Sequence, residues 1–101
     1  MNTDQQIAVI IINWKKYDFT LNCIDSVLKS SFKNFKIILI ENESQKDLFH
    51  EFEKNKKIHI IKNEKNEGFA RANNQGIKYS LKNGYDYILL LNNDTIIKND
   101  L

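Results

Sequence analysis

Four short apolar runs punctuate the chain, at residues 8–12, 37–40, 58–61 and 87–91. Isoleucine dominates them, and each is continuous rather than alternating. Runs of this length are too short for independent helices and suit strands buried on both faces, as in a parallel sheet covered by helices. The gaps between them are long enough for a crossover helix each time, which antiparallel hairpins would not need.

The gaps themselves carry helical periodicity. Asp18 is placed to cap a first helix whose inner face is Leu21, Ile24, Val27 and Leu28. Ser44 and Asp47 resemble a capping box for a second, with Leu48 and Phe52 as its inner stripe and a frayed end near Asn55. A third is predicted over residues 69–82, burying Phe69, Ala72, Gly76, Ile77 and Leu81, and Asn83-Gly84 supplies its left-handed stop. The predicted order is β-α-β-α-β-α-β. Right-handed crossovers wind such an order into an α/β, Rossmann-like open sheet with helices on both faces. Ligands of these sheets bind at the carboxyl ends of the strands. Chemistry is therefore expected at Asn13-Trp14, at Glu41 to Ser44, at Asn63 to Gly68 and at Asn92 to Asp94.

Composition narrows the picture. A chain of 101 residues is expected to form a single domain. With 42% hydrophobic residues a packed core is expected, and with 15 basic against 13 acidic residues no nucleic-acid partner is. Arg71 is the only arginine, and its planar fork suits phosphate oxygens. Cys23 is the only cysteine, read as a small buried residue, and His50 and His59 lack the spacing of a zinc site. No run approaches the roughly 20 apolar residues of a membrane span, and a cytoplasmic setting is expected.

The sharpest chemistry is Leu89-Leu90-Leu91-Asn92-Asn93-Asp94, an apolar strand ending abruptly in carboxamides and a carboxylate. At period two Asn92 and Asp94 are expected to point the same way into the ligand crevice, an oxygen pair able to hold a hard cation shared with phosphate oxygens. The same residues are also good turn formers, and taken alone the stretch fits either. Gly68 stands where a loop becomes a helix, so its backbone can approach a ligand and amides there can face an anion. There is no GxGxxG or Walker spacing. Glu41 ends the second run with a carboxylate able to accept from a ribose or base, and Trp14 either stacks near a base or caps the core.

Four stretches together resemble bacterial family 2 glycosyltransferases, especially the rhamnosyltransferase-like subgroup: Ala8-Val9-Ile10-Ile11-Ile12-Asn13-Trp14, Leu39-Ile40-Glu41-Asn42-Glu43-Ser44, Asn66-Glu67-Gly68-Phe69-Ala70-Arg71-Ala72-Asn73-Asn74-Gln75-Gly76-Ile77 and Leu89-Leu90-Leu91-Asn92-Asn93-Asp94. The resemblance implies the nucleotide-sugar-binding half of a GT-A fold. Ile11, Ile12 and Asn13, with Glu41 and Asn42, would hold the nucleoside. Gly68, Arg71, Asn74, Asn92 and Asn93 would flank the nucleotide and diphosphate. Asp94, with Asn92, would bind Mg2+ or Mn2+ as the end of a DxD-type motif, although Glu41 and Asn92 replace the aspartates usual at those positions. The implied donor is a dTDP- or UDP-linked sugar, and the implied acceptor a saccharide or a lipid-linked one. The catalytic base and acceptor half would lie beyond Leu101. Surface left uncovered by that missing half would favour self-association, and peripheral attachment at the inner face of the membrane would fit a lipid-linked acceptor. The alternative is a non-enzymatic, flavodoxin-like nucleotide- or protein-binding module.

Overall fold

The computed structural model describes residues 6–43 and 49–97. Strands β1 (Ile7–Asn13), β2 (Phe35–Glu41), β3 (Ile58–Lys62) and β4 (Tyr87–Leu91) form one sheet in the order β3-β2-β1-β4. Every pairing is parallel, with Ile7 opposite both Phe35 and Tyr87, and Ile37 opposite Ile58. The expected Rossmann-like architecture is the observed one, because isoleucine-rich strands need apolar cover on both faces.

Two helices supply that cover. Helix α1 (Tyr17–Leu28) lays Cys23, Ile24 and Val27 on Val9, Ile11, Ile37 and Leu39. Helix α2 (Phe69–Lys82) lays Ala72 on Ala8, Ile10, Ile38 and Ile40 from the other side. Alternate residues of β1 therefore serve opposite cores. Gly76 sets the spacing of α2, since a Cβ there would come within 2.9 Å of Ile10 Cγ2 and Ile40 Cδ1. The helix ends as expected at Asn83 and Gly84, where φ is +75° and Tyr85 N–H donates back to the Ser80 carbonyl.

Several local expectations are corrected. Asp18 lies inside the first turn of α1, whose N-cap is Lys16 and which has no side-chain cap bond. The ring of Tyr17 meets that of Phe49 in a tilted contact, centroids 4.9 Å apart, and the helix starts there, two residues earlier than a cap at Asp18 implies. Phe69 and Leu81 are exposed, because the close approach at Gly76 turns the narrow face of Ala72, Asn73, Gly76 and Ser80 to the sheet. Between β2 and β3 the described residues hold only a 3-10 turn, His50–Phe52. Ser44, Asp47 and Leu48 lie outside the described residues, and the core side chain of that connection is Phe49, fully buried. Last, β4 is not covered on both faces, since Tyr87, Leu89 and Leu90 are exposed at the sheet edge.

Candidate functional site

The carboxyl ends of β1, β2 and β4 open into one cleft of about 240 Å3, lined by Ile12, Trp14, Asn42, Asn66, Gly68 and Asn92 among others. Asn93, Leu91, Lys16 and Phe69 complete its wall. Of the residues expected here, Ile12, Asn42, Gly68, Asn92 and Asn93 face the cleft. Ile11 is fully buried in the α1 core, and Asn13 and Glu41 are each only 3% exposed, just beneath the floor.

Four asparagines stand in the walls, and buried carboxamides must be paired. Thr20, buried on α1, donates from Oγ1 to Asn13 Oδ1 at 2.6 Å and accepts from Asn93 Nδ2 at 3.1 Å. The Asn13 carbonyl accepts from Asn42 N–H, and the Glu41 carbonyl from Asn63 N–H, both at 2.9 Å. On the other side Asn42 donates to Asn66 Oδ1 at 3.1 Å and accepts from Asn63 Nδ2 at 2.8 Å. Asn63 and Gln75 exchange two further bonds of 2.8 and 3.0 Å. Asn63 and Asn66 fall in the stretch after β3 where chemistry was expected, without a role assigned to either, whereas Thr20 and Gln75 were given no place in the site. For Asn63 and Gln75 a signal exists in the run of Asn and Gln after β3, but Thr20 carries none, because only tertiary contact joins it to Asn13.

At the rim, Lys15 and Glu43 both adopt positive φ, +61° and +56°, each two residues past the end of β1 or β2. Such conformations cost of order 1–3 kcal/mol and cluster at working sites. Trp14 links them. Its Nε1 donates to Glu43 Oε2 at 3.1 Å, Lys15 Nζ stands 5.1 Å above its ring, and Lys15 pairs with Glu43 at 3.5 Å. Trp14 is 45% exposed, so it walls the cleft rather than capping the core.

Other expected residues stand apart from the cleft. Arg71 is exposed and pairs with Glu67 at 3.2 Å, one helical turn back, as is common on helix surfaces. Asn74 is exposed on α2 and does not line the cleft. The Gly68 amide is not open to an anion, because it donates to Asn66 Oδ1 at 2.9 Å. Gly68 itself, at φ +83°, holds a conformation that only glycine takes readily.

Residues 92–95 form a turn, closed by a 3.0 Å bond from Thr95 N–H to the Asn92 carbonyl. The strand stops at Leu91, so the expected period-two alignment of Asn92 and Asp94 does not occur. Both side chains are exposed. No cluster of three or more His, Cys, Asp or Glu exists among the described residues. One carboxylate and one carboxamide oxygen are hard donors, and they fit a cation whose remaining ligands are water and phosphate, the usual arrangement for Mg2+. They make part of a site, not a cage. Cys23 sits beneath this turn, its Sγ donating to the Asn92 carbonyl at 3.6 Å. Burial, then the nearby Asp94 charge, push its thiol up to about 11, so it is an inert packing residue as expected. Asp86 lies at the opposite end of the sheet, accepting from Gln6 N–H at 2.9 Å.

Residues 8–101 match Glycosyl transferase family 2. The chain belongs to this family. It is 35% identical over 96 residues to an uncharacterized glycosyltransferase of Rickettsia bellii (strain RML369-C), covering 92% of this chain and 13% of that protein. It is 29% identical over 97 residues to the dTDP-rhamnosyl transferase RfbF of Shigella flexneri, covering 96% of this chain and 32% of that one. This family 2 chain thus spans a third or less of the length of these curated relatives. Among solved structures, S. aureus TarS 1-349 superposes with a TM-score of 0.79 at 15% identity, over 94% of this chain and 29% of that one. The mannosyltransferase PcManGT from Pyrobaculum calidifontis, in complex with GDP-Man and Mn2+, gives 0.75 at 8% identity, over 94% and 30%. These likenesses carry the fold, which is the Rossmann-like part of GT-A. Among the described residues, no helix is long and apolar enough to cross a membrane.

Proposed function

We propose that this family 2 chain is the donor-binding half of an inverting glycosyltransferase of cell-surface polysaccharide synthesis, working in the cytoplasm or at the inner face of the membrane. It takes a dTDP- or UDP-linked sugar and passes a hexosyl or rhamnosyl group to a saccharide or lipid-linked acceptor. The cleft at the carboxyl ends of β1, β2 and β4 carries this reading, with its carboxamide walls and exposed Trp14. Two names among its relatives favour the donor class: RfbF is a dTDP-rhamnosyl transferase, and S. aureus TarS 1-349 has been solved in complex with UDP-GlcNAc.

In this reading Trp14 stacks on the base, and the strand-end backbone of residues 11–13 with Glu41 and Asn42 holds the nucleoside. Asn92, Asn93 and Gly68 border the diphosphate, with Arg71 and Asn74 reaching it only after leaving their present positions. Asp94 and the Asn92 carboxamide would hold Mg2+ or Mn2+, which when bound supplies positive charge against the diphosphate. An acceptor hydroxyl attacks the anomeric carbon from the face opposite the diphosphate, giving inversion. None of the residues around this cleft is assigned as the base that takes its proton.

The test is calorimetry of UDP and dTDP with and without Mn2+. Asp94→Ala is expected to abolish the metal-dependent part of binding while leaving the melting temperature unchanged, since Asp94 is an exposed turn residue. Equal affinity in variant and parent, with and without metal, would remove Asp94 from the site.

A further inference from the structure

The carboxamide chain beside the cleft has a direction fixed by one backbone group. Gly68 N–H is a donor and nothing else, so the Asn66 atom that meets it at 2.9 Å is the oxygen. That same oxygen lies 3.1 Å from Asn42, which must therefore present its Nδ2 and keep Oδ1 for its other neighbour. Asn63 must then offer Nδ2 to Asn42, at 2.8 Å, and it has a second N–H for Gln75 Oε1, also at 2.8 Å. Gln75 Nε2 closes the ring on Asn63 Oδ1 at 3.0 Å. Reversing Asn42 alone would set oxygen against oxygen at Asn66 and nitrogen against nitrogen at Asn63. Asn42 is 3% exposed, so water cannot heal such a mismatch.

We infer that Asn63 and Gln75, neither of which lines the cleft, are positioning residues: they hold Asn42, and through it Asn66, so that the Asn66 N–H groups are left for the ligand. Asn66 Oδ1 accepts two bonds, and its Nδ2 has no partner among the described residues. Asn66 lines the cleft. This wall therefore donates and does not accept. The group it recognises is an acceptor oxygen of the bound nucleotide, a base carbonyl or a phosphate oxygen, an assignment that rests on the donor-binding reading above.

Asn63→Asp tests the direction, because a carboxylate of the same shape has no N–H to give Asn42. Asn42 then turns its Nδ2 to the new carboxylate and its Oδ1 against Asn66 Oδ1, which the Gly68 N–H holds in place, so the Asn66 donor is pushed from its set position. Gln75→Glu brings a similar charge but leaves both Asn63 N–H bonds in place. With uridine, whose charge does not change over the range used, Asn63→Asp is expected to bind about tenfold more weakly than the parent at neutral pH, the scale of a stranded polar partner. Most of that loss should return on acidification, as the carboxyl gains a donor proton. Gln75→Glu should lose only a few-fold. Pyrophosphate, run beside uridine, identifies the source of the oxygen: the ligand that loses affinity in Asn63→Asp beyond the loss in Gln75→Glu is the one the wall holds.

Side-chain NH2 resonances of Asn42 and Asn66, followed in the ligand-free chain, keep the relay separate from the donor-binding reading. Asn63→Asp must shift both, and acid must reverse the shift. Unmoved resonances overturn the relay even if nucleotides bind. Shifted resonances in a chain that binds neither uridine nor pyrophosphate uphold the relay and overturn the donor reading. Equal losses in Asn63→Asp and Gln75→Glu that vanish together on acidification reduce the effect to charge and also overturn it. Should Asn63→Asp fail to fold, Gln75→Met, which opens the clasp without charge, must still broaden or shift the Asn63 and Asn42 amide signals.

Discussion

Strands β1 and β4 lie side by side in register, Ile7 opposite Tyr87 through Ile11 opposite Leu91, and the paired stretches carry no charged or carboxamide side chain. Their fates differ. From Ala8 to Ile11 every side chain of β1 is buried, while three of the five in β4 are exposed. The ends differ in the same sense, since Asn13 is held by a buried threonine whereas Asn92 and Asp94 stand in an open turn. Position in the sheet, not the apolar run itself, decides which strand is core and which wall of the cleft is preformed.

The largest effect that would sharpen this contrast is expected at Ile10. Ile10→Ala removes a side chain packed between β1 and α2 and should lower stability by about 2–5 kcal/mol in urea unfolding. A loss below about 1 kcal/mol would mean that the α2 face is loosely packed. Next comes Thr20→Val, which keeps the shape and deletes the hydroxyl joining Asn13 to Asn93. It should cost about 1–3 kcal/mol, because Asn13 Oδ1 is left buried without its donor, and nuclear magnetic resonance should show Asn93 gaining side-chain mobility. Smallest is Leu90→Ser on the exposed strand, expected within about 0.5 kcal/mol of the parent. A loss as large as that of Ile10→Ala would erase the distinction between the strands and imply that β4 is covered in solution.

The same contrast explains what could be read from the chain in advance. Strands β1, β2 and β3 were legible because continuous isoleucine runs admit few other structures, and Asn83-Gly84 announced the end of α2. Periodicity does not say which strand lies at an edge, so Leu89 and Leu90 read like core residues. It also cannot see Gly76 as a contact, so Phe69 and Leu81 were assigned to a face that the close helix approach turns away. At the strand ends, Asn42, Asn92 and Asn93 line the cleft where strand-end placement expects them. Thr20 stayed hidden because its partners are 7 and 73 residues away. The Asn92–Asp94 stretch fitted both turn and metal site as sequence, and the backbone bond at Thr95 identifies the turn.

Gly76 bears on more than the fit of a helix. It is the residue after Gln75, and its missing side chain lets α2 settle against Ile10 and Ile40, where even one carbon would stand 2.9 Å from each. The height of α2 above the sheet is thus machined by a single hydrogen atom, and Gln75 inherits that height. A hydrogen bond of 2.8 Å has little slack, so a shim of a few tenths of an ångström under the helix would be felt at Asn63 before it was felt anywhere in the cleft. The tolerance of the cleft wall is set on the far side of α2's backbone, in the hydrocarbon of two isoleucines.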